Sequence, residues 1–186
     1  MKKISLLLSL ALLSSCKKAP PPIIPEIEKE LKSVALDEDR TIALVRQETN
    51  QAILIASRYM GYHERRNRHE LRKFVGVDPV RIDWCAAFIN SILHEMGQKG
   101  SESVSEHPLT AKSFLKWGKR VSKPQIGDIM IFPRGREPWQ GHVGFYYDTI
   151  YKNGVKYYLI LGGNQDDAVT IQAFRASSTI SIRRAK

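Results

Sequence analysis

The hydrophobic period changes partway along this chain, and that change restricts its fold more than any other feature. Before about residue 118, apolar residues recur at helical spacing. In TIALVRQETNQAILIASRYMG they are Ile42, Val45, Ala52, Ile53, Ala56, Tyr59 and Met60, and Gly61 suits a stop. In WCAAFINSILHEMG they are Ala86, Phe88, Ile89, Ile92, Leu93 and Met96, with Gly97 at the C′ position. TAKSFLKWG predicts a short helix with Thr110 as its N-cap and Gly118 past its end. The segments GDIMIF, HVGFYYDTI, VKYYLILGG and VTIQAF follow, rich in β-branched and aromatic residues. Pro-Arg-Gly, Lys-Asn-Gly and Gln-Asp-Asp clusters separate them as turns. Helices first and antiparallel strands afterwards predict an α+β fold, the helices packed on the sheet.

Residues 39–186 are enough for one domain with its own core. The chain ahead of them has a different character. MKKISLLLSLALLSSC joins a basic start, Lys2 and Lys3, to an apolar run too short to span a bilayer. Its last four residues, Leu13-Ser14-Ser15-Cys16, resemble a bacterial lipobox. That implies a signal peptide over 1–15 and lipidation of Cys16; the bland alternatives are an ordinary signal cut elsewhere or a buried helix. Pro20, Pro21, Pro22 and Pro25 then favour extended backbone, so 16–38 reads as a Pro-rich, charged tether. The domain is expected in the cell envelope, held to a membrane through its lipid. Lys17, where an aspartate would signal retention, favours the periplasmic face of the outer membrane in a diderm host.

Formal charge is +10, or +8 without Lys2 and Lys3. An exported chain has little access to nucleic acid, so none is expected as partner; anionic lipids and wall polymers suit this charge better, and a generally solvated basic surface suits it best. HERRNRHELRKF reads as a solvated helix face or loop. His63 and His69 are six apart, which is not the i,i+4 pair of helical metal ligands, and no metal is expected.

If Cys16 carries lipid, Cys85 is an unpaired thiol in an exported protein. Its place at or just before a helix start offers partial positive charge and free N–H groups. Those predict a thiol pKa below about 8.5 and a site for an oxyanion. The bland reading packs Cys85 inertly under Trp84 and Phe88. Among five histidines, His142 is the best placed as base, at a strand start between Gly141 and Gly144, which would admit a substrate backbone. An orienting amide follows from hairpin register. A three-residue loop makes His142 face Asn164, and a two-residue Asn153-Gly154 loop makes it face Gln165. A bulge at Gly162-Gly163 would alter the count.

With those residues in view, the chain resembles the papain-like NlpC and CHAP (cysteine, histidine-dependent amidohydrolase/peptidase) families. The motifs WCAAF, FLKWG, GDIMIF, GHVGFY and LGGNQ are similar to those of a CHAP-like family of bacteria and phages. The resemblance implies a papain-like fold with Cys85 as nucleophile, His142 as base and Asn164 as the orienting residue. Gln165 is a candidate support by adjacency. It also implies cleavage of peptidoglycan or other cell-wall peptide bonds, no cofactor, and a monomer. Many NlpC relatives have aspartate directly before the cysteine and serine after it; here Asp83 lies two before and Ala86 follows. A non-catalytic binder of wall fragments and a phage-lysis or toxin amidase are the alternatives.

Overall fold

The computed structural model describes residues 41–42 and 50–186, all within the unit Arg40–Lys186. The expected signal peptide, the tether and Cys16 lie outside the described residues.

Among the described residues, helices precede the strands: Thr41 and Ile42 are helical, and α1 (Gln51–Ser57), α2 (Arg68–Val75) and α3 (Cys85–Glu95) follow. Asn50 caps α1, its Oδ1 accepting the Ile53 N–H at 3.2 Å. The helix ends at Ser57, before the expected Gly61, whose N–H is instead donated to the Val169 carbonyl at 2.9 Å. The basic α2 buries only Leu71 and Val75, and its arginines face solvent. α3 is the central helix. Small Ala86 and Ala87 let it approach the sheet, while Phe88, Ile89, Ile92 and Leu93 are buried with them. Each such large side chain contributes on the order of 1.5–3 kcal/mol. TAKSFLKWG forms a 3₁₀ turn, Ala111–Lys116, and the Thr110 side chain does not cap it.

The strands are β1 (Lys119–Val121), β2 (Ile129–Phe132), β3 (His142–Lys152), β4 (Val155–Gln165), β5 (Ala168–Arg175) and β6 (Ser181–Arg184). They form one antiparallel sheet in the order β1-β6-β2-β3-β4-β5. The helices pack on one face, against Ile129, Ile131, Val143, Phe145 and Leu161. A smaller apolar cluster of Met130, Phe132, Tyr158, Ile160 and Ile182 covers the other. All four residues of β2 are therefore buried. The fold is α+β and papain-like.

Candidate active site

The β3–β4 hairpin positions the site. Its turn is the two-residue Asn153-Gly154, at φ 50° and 74°, the left-handed pair such a tight turn requires. Lys152 accordingly pairs with Val155, but a bulge at Tyr147 shifts the ladder by one, so that Tyr146 faces Ile160. A second irregularity falls between Gly162 and Gln165, where Asn164 adopts φ 58°. Extended alternation breaks there, and the side chain of Gln165 turns inward.

Gln165 Oε1 lies 2.9 Å from His142 Nε2. The amide orientation follows from its other end: Gln165 Nε2 donates to the carbonyls of Thr170 at 2.6 Å and Ile160 at 3.2 Å. Oε1 must therefore accept, Nε2 of the neutral imidazole carries the proton, and Nδ1 keeps its lone pair. Nδ1 faces Arg134 Nη1 at 3.5 Å. The ring itself is 2% exposed and stacks on Phe174, centroids 5.2 Å apart.

Asn164 is not placed on the imidazole. Its amide donates to Asp83 Oδ1 at 2.9 Å, and its carbonyl accepts from Arg134 Nη1 at 3.1 Å. The expected histidine–amide contact is made by Gln165, because the left-handed turn at Asn164 swings that side chain away from His142. Gly144 also differs from expectation. A Cβ there would lie 2.4 Å from Ile160 Cγ2, so its space is used by the sheet and not by a substrate.

Cys85 is the first residue of α3 and 3% exposed. The Val143 and Ala86 backbone N–H groups lie near enough to its sulphur to favour the thiolate, which places the thiol beside the start of β3. Burial pushes the thiol pKa up, against the lowering by the Val143 N–H and the Arg134 charge. The expected depression is thus overturned: desolvation outweighs the positive helix end. Burial likewise holds His142 down to about 4, opposed by the Gln165 hydrogen bond and reinforced by Arg134. Both shifts favour the uncharged forms, a thiol at Cys85 and a neutral imidazole at His142.

Cys85 opens onto a groove of about 370 Å³ lined by Asp83, Leu109, Thr110, Ala111, Arg134, Gly135, Trp139, Gln140 and Gly141. A larger recess, about 590 Å³ at the β1–β6 end of the sheet, contains no cysteine or histidine. Arg134, Trp139 and the Asp83–Asn164 contact were not anticipated. All depend on where one loop lies over another, and no periodicity carries that.

The thiol at the start of α3, the imidazole at the start of β3 and the amide on the imidazole's Nε2 are the kinds of group that thiol hydrolysis uses. Residues 77–164 match the CHAP domain family model, and the match spans Cys85, His142 and Asn164. The family comprises cysteine peptidases and amidases acting on peptidoglycan peptides. No curated protein matches the chain.

Proposed function

We propose that the protein is a monomeric, lipid-anchored thiol hydrolase of the cell envelope that cuts amide bonds in peptidoglycan peptides. The contact between His142 Nε2 and Gln165 carries the reading, because it leaves Nδ1 as a lone-pair base on the side of Arg134, a residue of the groove wall. Nδ1 takes the Cys85 proton as the sulphur attacks the amide carbonyl carbon. The oxyanion meets the first N–H groups of α3, for which Trp84 supplies no capping side chain. The carbon–nitrogen bond breaks, and Nδ1–H protonates the departing amine. Water then gives a proton to Nδ1 as its oxygen attacks the thioester carbon; the carbon–sulphur bond breaks, the acid leaves, and the Nδ1 proton returns to the sulphur. Gln165 orients the ring in place of the expected Asn164, which instead ties Asp83 and Arg134 together.

Incubating the soluble domain with purified peptidoglycan, followed by mass spectrometry of new ends, tests the proposal. Wild type should release an amine and a carboxylate at one bond type, and Cys85→Ala should release neither. Equal products from both proteins would sink it. A second reading, a binding module for wall fragments, is favoured by the burial of Cys85; it predicts no new ends with either protein but equal retention on peptidoglycan.

A further inference from the structure

Arg134 is a charged wall of the groove that the hydrolytic steps do not use. It sits on the loop after β2, and that loop is braced from within. Gln140 Oε1 accepts the backbone N–H groups of Arg136 and Glu137 at 2.8 and 3.0 Å. The Lys112 ammonium donates to the Pro138 carbonyl. Gly135, at φ 70°, turns beneath the Gln140 side chain, where a Cβ would lie 1.8 Å from Oε1.

The guanidinium is anchored at one end only. Nη1 donates to the Asn164 carbonyl at 3.1 Å and reaches His142 Nδ1 at 3.5 Å. Among the described residues, Nε and Nη2 have no hydrogen-bond partner, although a guanidinium presents five planar N–H donors. No carboxylate among the described residues pairs with it. Asp83, the acid of the groove, accepts the Asn164 amide instead. The remaining walls are neutral, including Leu109 and a Trp139 that is 60% exposed. An unneutralised guanidinium edge, held still beside a nucleophile, matches one planar bidentate anion well, and that is a carboxylate.

We propose that Arg134 determines substrate specificity by binding a free carboxylate carried close to the scissile amide. The inference rests on the hydrolase reading above. Nε and Nη2 take the two carboxylate oxygens while Nη1 stays on Asn164, so the peptide is registered with its carbonyl over Cys85. A primary amide at the same position offers one acceptor and turns an N–H₂ donor toward a cation that has no acceptor.

Wall peptides with free carboxylates and the same peptides with carboxylates converted to primary amides test this. Wild type should cleave the free form with kcat/KM on the order of 10-fold or more above the amidated form. Arg134→Gln should bring that ratio close to one, and Arg134→Lys, which keeps charge but loses the fork, should retain part of it. A wild-type ratio of one overturns the proposal, as does loss of both activities by the same factor in both variants. Calorimetric titration of Cys85→Ala reads binding apart from turnover. Selective binding of the free form, abolished by adding Arg134→Gln, upholds the carboxylate site even where nothing is cleaved and the hydrolase reading fails. Cleavage without discrimination leaves that reading standing and removes this one.

Discussion

His142 has exchanged water for the face of Phe174 and one amide oxygen, and its protonation carries a cost. Its pKa falls from the ordinary 6.5 to about 4, with burial the first cause. Above 6.5 the ring is neutral in both folded and unfolded chains, and the group contributes no pH dependence. Between 6.5 and 4 only the unfolded chain takes up the proton, so stability falls as pH falls. The loss reaches on the order of 3 kcal/mol near pH 4 and then levels off. Urea unfolding of wild type and His142→Gln across this range should give curves that diverge by that amount. Parallel curves would show that the imidazole titrates normally. The neutral pair also changes what is expected of Cys85. Alkylation of the native thiol should be slow at neutral pH and should speed up toward alkaline pH, because the thiolate is formed at the expense of burial.

At the scale of elements, the site depends on how closely β4 lies on α3. Gly163 makes that approach possible. A Cβ there would lie 2.4 Å from Trp84 Cζ3 and 3.0 Å from Phe88 Cβ. Both aromatic side chains are fully buried, so neither can yield without moving the helix. Gly163→Ala should therefore destabilise the domain by about 1–3 kcal/mol, the usual range for overpacking. It should also disturb catalysis more than stability, since Asn164 and Gln165 follow directly. Thermal melting and peptidoglycan cleavage measured together check this. An unchanged melt would mean that the strand is free to retreat from the helix.

At the scale of the whole molecule, the described domain is one sheet with helices on one face and its groove at the Cys85 end of α3. Nothing in that architecture requires an anchor; the expectation rests on Leu13-Ser14-Ser15-Cys16 and the proline-rich stretch after it. Protein made in its host should carry lipid on Cys16 and partition into detergent, and Cys16→Ala should remain aqueous. An intact, unlipidated N-terminus on wild type would remove both the anchor and the envelope assignment.

The α+β order, a helix beginning at or just after Cys85, and a turn around Asn153-Gly154 were legible in the sequence, because periodicity and turn chemistry act over a few neighbouring residues; whether that turn took two or three residues was not. The position of His142 at a strand start was legible for the same reason. Strands β1 and β6 were not, since Lys-Arg-Val and Ser-Ile-Arg-Arg are short and charged and gain their ladder only from distant partners. Register arithmetic brought an amide to the histidine but left Asn164 and Gln165 both open. The bulge at Tyr147 shifts the ladder toward the register that faces His142 with Asn164, and the left-handed Asn164 then hands the contact to Gln165. It also decided the protonation of the site. A helix start favours a thiolate in isolation, but the depth of Cys85 depends on everything packed over it, and desolvation in the folded domain exceeded the local field.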